Sequence, residues 1–417
     1  MFAREKFDFL GNSLSKSMLI KALGNILLFR GEQSRGMVLA LLSDFFGVKQ
    51  NQIFLFSAAR MSVFSFIKSL DLERGDEVLV AGYTCVVLTN AVKFSGQPIK
   101  YVDIQVTDCN LDLNALREVV SEKSKVLILP HNFGLPDQHI SAIKEEFPEL
   151  IIIEDVAHGF GTRDKEKRII GTIGDASFFS LEYSKPVTAG LGGIMIINNP
   201  KHLSKFSEHY NSLGTESWLI TIRKLLTLCA MVMSRSSWTS FFRTNVMRFM
   251  RISRLVYATS QKEVDGIMPE TYATKLNPLL CNVLLPQLQE IRVINQTKRK
   301  VLESYAKRFA QVSSLIPIDI DNAVMIRYPL IFNDGVEDMQ IDSLREVALK
   351  KGYRFGEWFN DVIHPKGSYR YMYQQGSCPV GETMAKRMLN LPVNAFAVLS
   401  ESELDEVVSI IKAQGID

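Results

Sequence analysis

Asp155 closes the apolar run "LIIIED", and Lys185 follows thirty residues later, with Ser180 just ahead of it in "FFSLEYSK". An amine attacks a carbonyl only when neutral, so a catalytic lysine needs desolvation or a neighbouring positive charge to lower its pKa. The apolar, aromatic run before Lys185, and Pro186 with the small residues Thr188-Ala189-Gly190 after it, supply such a pocket. A carboxylate at a strand end, a lysine and a nearby hydroxyl match the demands of a pyridine-ring cofactor. Those demands are an acid for the ring nitrogen, an amine for covalent attachment and donors for a phosphate. The bland readings are a loop carboxylate, a surface lysine beside a turn and a packing role for His158. Asp155, His158 and His131 are conceivable metal ligands, but no spacing supports a metal site. Cys378 in "GSCPVGE" has no accompanying His/Asn pattern and reads as structural.

The elements that must position these residues form a simple rhythm. Ile53–Phe56, "DEVLVAGYT", "PIKYVDI", "KVLILPHNFG" and "LIIIEDVAHG" read as strands, alternating with helical stretches such as "VVLTNAVKFSG" and "NLDLNALREVVS". That alternation predicts an α/β fold with a mostly parallel sheet covered by helices. Ligand sites in such sheets gather at the carboxyl ends of the strands, where Asp155 stands. Beyond about residue 265 come one long helix-like stretch from Pro278 to Phe309, the strand-like "VMIRYPLIF" and a final helix from Glu401. The expected division is a large domain over 1–265 and a smaller C-terminal α/β domain over 266–417.

Residues 217–257 have another character: seven Arg or Lys and no acid, interleaved with Trp218, Trp238, Phe241, Phe242 and Phe249. Amphipathic helices are expected there, covering a domain or dimer face, or touching an anionic lipid surface. A formal net charge of +3 is too small to imply nucleic acid as a bulk partner. Five scattered cysteines without C-x-x-C spacing fit a reducing compartment rather than a disulfide framework. No stretch reaches 18 uninterrupted apolar residues and the first residues carry charges, so a cytoplasmic location is expected.

The order "GDEVLVAGYT", "IIIEDVAHGFGT", "IGDASFFSLEYSK" and "GLGGIMI" resembles the DegT/DnrJ/EryC1/StrS family of aminotransferases, which use pyridoxal phosphate and act on nucleotide-linked keto-sugars. The similarity runs from about residue 53 to 200. It resumes at "MPETYATKLNPLLCNVLLPQLQEI" and "GSCPVGETMAKRMLNLPVNAF". The resemblance implies a fold type I pyridoxal-phosphate transferase, a homodimer sharing its active sites. Lys185 would hold the cofactor and carry protons, Asp155 would face the pyridine nitrogen, and His158 would lie near the ring hydroxyl. Ser180 would donate to the phosphate, and Asn211 in "HYNSLG" matches an asparagine that reaches the phosphate across the dimer interface.

Two departures stand out. Ala59-Arg60 replaces the family's Gly-Thr phosphate turn, so either the guanidinium or the helix-start amides bind phosphate. Cys85 in "YTCVVL" replaces an aromatic ring that stacks on the cofactor, and Tyr83 is no simple substitute. A lysine at 185 speaks against the family's sugar 3-dehydratases, which carry histidine there. The implied reaction moves an amino group, from glutamate, onto a keto-deoxysugar in polysaccharide, lipopolysaccharide or related glycan synthesis. The rivals are a pyridoxal-phosphate enzyme for another carbonyl and a non-catalytic, membrane-peripheral or regulatory relative.

Overall fold

A computed structural model describes residues 7, 9, 13–233, 259–395 and 398–417. Among the described residues two helices precede the first strand: α1 (Lys16–Leu27), capped by the Ser15 hydroxyl, and α2 (Gly31–Phe46), ended by Gly47 at φ 69°. There follow β1 (Ile53–Phe56), α3 (Ala59–Ser69), β2 (Glu77–Ala81), β3 (Thr84–Cys85) and α4 (Val86–Ser95). Next come β4 (Ile99–Val102), α5 (Leu113–Val119), β5 (Ser124–Pro130), α6 (Ile140–Glu146) and β6 (Ile151–Asp155). Two more strands, β7 (Ala176–Ser180) and β8 (Gly193–Ile197), lead to α7 (Pro200–Ser212) and α8 (Trp218–Met233).

The central sheet has seven strands in the order β1-β8-β7-β6-β5-β2-β4. Neighbours from β4 to β7 run parallel, while β8 runs antiparallel to both β7 and β1. The mostly parallel α/β sheet expected from the alternation is present, with its one reversal at β8. The reversal follows from the connection: β7 and β8 are joined by a turn that holds Lys185, and no crossover helix intervenes. Val78, Val80, Ile128 and Ile153 face one helical layer, Leu79, Leu127, Leu129 and Ile152 the other. Each such burial is worth about 1.5–3 kcal/mol.

A second, two-stranded antiparallel sheet pairs β9 (Arg327–Ile331) with β11 (Met388–Pro392). The helices Ile291–Phe309, Asp338–Lys350 and Glu401–Lys412 send Leu302, Leu344 and Val407 into one core with Leu330 and Leu389 of this sheet. The short β10 (Ile363–His364) pairs instead with β3 of the first region, in register Cys85 with His364. Leu276, Leu280, Leu284 and Leu288 pack with Leu55 and Ile194 of the large sheet, so this stretch joins the first core although it lies past residue 265. The long helix expected from Pro278 to Phe309 is two helices, Cys281–Gln289 and Ile291–Phe309, meeting at Glu290. Of the basic segment 217–257, residues 218–233 form α8, and 234–257 lie outside the described residues. Among the described residues no helix is long and apolar enough to cross a membrane.

Candidate active site

Asp155 is the last residue of β6, and its Oδ1 accepts the Ala157 amide at 3.0 Å. Burial raises its carboxyl to about 6, against the pull of that amide and of Lys185. Lys185 lies in the β7–β8 turn, 6 % exposed, with its own amide bound to the Glu182 carbonyl at 3.0 Å. Burial lowers its amine to about 8, although Glu182, Asp155 and Cys85 all act to raise it. Desolvation wins, and the parallel sheet sets acid and amine at the carboxyl ends of adjacent strands β6 and β7.

His158 has Nδ1 accepting the Phe133 amide at 3.2 Å. Burial, then Lys185 and Arg327, hold its pKa well below the usual histidine value. The ring is therefore neutral, and because Nδ1 accepts, the proton sits on Nε2, which becomes a donor. His131, the residue directly after β5, is occupied elsewhere. Its Nε2 faces Glu154 at 3.0 Å and its Nδ1 accepts the Asp137 amide at 2.9 Å. Glu154 also accepts the amides of Gly171, Ile173 and Gly174 at 2.6–2.7 Å, which fixes the loop between β6 and β7.

Ser180 ends β7 opposite Gly193 of β8, which also pairs with Phe56 of β1. A Cβ on Gly193 would come within 2.4 Å of the Ala59 Cα and 2.6 Å of the Ala59 nitrogen. Only glycine lets the start of α3 sit directly on β8 beside Ser180. Ala58 precedes α3 and offers no side-chain cap, so the first-turn amides face this corner without one. The Arg60 guanidinium is engaged by Glu263, with Nη2 at 3.0 Å from Oε2, and both side chains are buried. The Arg60 guanidinium is thus held by a carboxylate, while the helix-start amides and the Ser180 hydroxyl are donors of the kind a phosphate needs.

Lys224, Trp358 and Arg327 lie around the site and were not among the residues expected there. Lys224 of α8 is fully buried and donates to the Ser57 carbonyl and hydroxyl, both at 3.0 Å, and to Glu216. Its signal is a lysine inside the apolar stripe "WLITIRKLLTLCAMVM". Trp358 carries the Lys185 Nζ at 4.2 Å from its ring centroid, the Arg327 guanidinium at 4.0 Å and the His158 ring at 4.7 Å. Cys85 is close enough to feel Lys185, Asp155 and Arg60, with burial raising its thiol. Tyr83 spends its hydroxyl on the Phe359 backbone, accepting the amide and donating to the carbonyl at 3.0 Å each. Asn211 lies exposed on the last turn of α7, where its carbonyl accepts Lys275 at 3.1 Å.

The donor set suits a phosphorylated pyridine aldehyde: a carboxylate for the ring nitrogen, a desolvated amine for the carbonyl, and an uncapped helix start with a hydroxyl for the phosphate. Comparison with known proteins agrees. The model of the DegT/DnrJ/EryC1/StrS aminotransferase family matches residues 42–412. The spore coat polysaccharide biosynthesis protein SpsC of Bacillus subtilis is 22% identical over 369 residues, covering 84% of this chain and 82% of its own. GDP-perosamine synthase of Escherichia coli O157:H7 is 32% identical over 149 residues, 35% of this chain and 40% of its own. Among solved structures, Helicobacter pylori PseC, an aminotransferase involved in the biosynthesis of pseudoaminic acid, superposes with a TM-score of 0.73. It is 16% identical and covers 98% of this chain and 99% of its own, a likeness that carries the fold.

Proposed function

We infer the reaction from one premise: the chain belongs to the DegT/DnrJ/EryC1/StrS aminotransferase family. It is a pyridoxal-phosphate-dependent aminotransferase of the α/β fold. We propose that it moves an amino group from an amino-acid donor, glutamate, onto the keto carbon of a nucleotide-linked deoxysugar, in polysaccharide, lipopolysaccharide or related glycan synthesis. Similarity to a perosamine synthase and to a spore coat polysaccharide protein supports this substrate class.

Bound here, pyridoxal phosphate supplies a carbonyl for amine exchange and a protonated pyridine that takes up charge from the substrate carbon. Lys185 would hold the cofactor, and its Nζ, when free, would take up or deliver the proton at the substrate carbon that bears the nitrogen. Asp155 keeps the pyridine nitrogen protonated, and the His158 Nε2–H donates toward the ring hydroxyl. Ser180 and the α3 amides of Ala59 and Arg60 hold the phosphate. Trp358, brought in from the far end of the chain, gives the site the aromatic wall that Cys85 lacks.

The observation that carries the reading is a buried lysine set against the Trp358 ring, in the turn after β7, with Asp155 at the end of the adjacent strand β6. Borohydride reduction of the purified protein, followed by peptide mapping, is expected to fix the cofactor on the peptide containing Lys185. Label on another lysine, or a protein that takes up no cofactor, would sink the assignment.

The finer organisation is also our proposal. The chain works as a cytoplasmic homodimer in which Asn211 reaches the partner's phosphate site. Support comes from exposed apolar residues on two neighbouring helices, Leu27 of α1 and Trp218, Leu219 and Ile222 of α8. A dimer face accounts for them without lipid; flotation with anionic vesicles at low salt would revive a membrane-surface role for 217–257. The two domains divide near residue 265, with the stretch to Ile291 returning to the large core.

A further inference from the structure

Arg327 begins β9 and is a cation with no carboxylate paired to it among the described residues. Its Nη1 donates to the Asn390 Oδ1 at 3.0 Å, and its guanidinium lies 4.6 Å from the Phe9 ring and 4.0 Å from the Trp358 ring. No Asp or Glu oxygen of the described residues comes within 4.0 Å of it. Glu182 acts on it only from farther away and is committed to Ser184, whose amide and hydroxyl it accepts at 2.9 and 2.6 Å. The same Trp358 ring carries the Lys185 amine at 4.2 Å. Two cations thus share one aromatic wall in a desolvated pocket.

A desolvated guanidinium calls for an anion, and its planar fork matches a carboxylate in two parallel hydrogen bonds. The substrates of the proposed reaction offer two anions. An amino-acid donor carries its carboxylate on the very carbon whose amine must meet the cofactor at Lys185. In a nucleotide-linked sugar the phosphates are set off from the reacting carbon by the atoms of the sugar ring. The proximity of Arg327 to Lys185 favours the first. We propose that Arg327 is the residue that recognises the α-carboxylate of the amino-acid donor, an inference that rests on the aminotransferase reading above.

The test uses the holoenzyme titrated with L-glutamate and followed by cofactor absorbance, alongside Arg327→Met and Arg327→Lys. Arg327→Met is expected to raise half-saturating glutamate about 10- to 100-fold, the worth of a charge-assisted pair. Arg327→Lys, which keeps the charge and loses the fork, should fall between. L-Glutamate α-methyl ester should be a poor donor for the wild type, and Arg327→Met should no longer distinguish ester from acid. Half-saturation within about twofold of wild type in Arg327→Met overturns the proposal. So does inhibition by UDP, dTDP or GDP that is strong in the wild type and lost in that variant, since it assigns the guanidinium to a phosphate. If Arg327→Met fails to fold, a wild type that accepts ester as readily as acid overturns it without any variant. A wild type that responds to no amino acid sinks the aminotransferase reading itself.

Discussion

Lys185 must be neutral to attack and yet hold a proton to deliver, and an amine near 8 does both close to neutral pH. At the ordinary lysine value of about 10.4 fewer than about one amine in a thousand would be neutral at pH 7; near 8 it is about one in ten. Covalent capture of cofactor by cofactor-free protein should therefore rise about tenfold per pH unit below 8 and level off above it. A rate flat from pH 6 to 9, read by stopped-flow absorbance, would remove Lys185 as the titrating amine. Asp155 adds an acid limit. Its carboxyl sits at about 6 without cofactor, and a protonated pyridine beside it favours the carboxylate. Cofactor affinity should accordingly weaken as the pH falls below 6, and Asp155→Ala should abolish that dependence. Lys185→Ala should retain cofactor noncovalently, and it and Asp155→Ala should each lose about 10³-fold or more in transamination, with the double variant little worse.

At the scale of elements, the phosphate corner depends on where α3 begins. Gly193→Ala would drive a methyl group into the Ala59 backbone, so it should lower cofactor retention, measured by equilibrium dialysis, with β8 otherwise intact. Arg60→Ala tests a different element, because it strands the buried Glu263 carboxylate. Its expected effect is a stability loss of about 3–5 kcal/mol, largely rescued by Glu263→Gln in the same chain. A loss of cofactor that Glu263→Gln does not restore would return the guanidinium to the phosphate. The strands up to β6, their intervening helices and the acid–lysine pair were legible because each is written in a contiguous pattern: apolar runs, a helical period, a strand-end carboxylate. The reversal at β8 was not, since a strand's residues look alike in either direction. Trp358 and Arg327 escaped notice because long-range contacts, the β3–β10 pairing among them, bring the C-terminal region to Lys185. Lys224 was read as one basic residue on an amphipathic surface, whereas the fold buries it against Ser57 and Glu216.

For the whole molecule, three buried lysines make stability depend on alkaline pH. Lys185, Lys224 and Lys298 all sit near 8, below the ordinary 10.5. Between those values the unfolded chain binds more protons than the folded one, so stability rises with pH across that window. Below pH 8 the folded state carries each charged amine at full desolvation cost. Lys185 serves chemistry, and Lys224 is offset by Glu216. Lys298, on the helix Ile291–Phe309 in the buried stripe of Ile294, Val301 and Leu302, is lowered by burial alone. Replacing it with an apolar chain of similar length should remove a cost without opening a cavity. Lys298→Met is therefore expected to stabilise the cofactor-free protein at pH 7 by roughly 1–3 kcal/mol in urea unfolding. The gain should shrink toward zero as the pH approaches 10, where the wild-type amine is already neutral in the folded state. A gain equal at pH 7 and pH 10 would show that better packing, rather than relief of a buried charge, is the cause. No gain at either pH would mean that Lys298 keeps its charge hydrated at the end of its side chain.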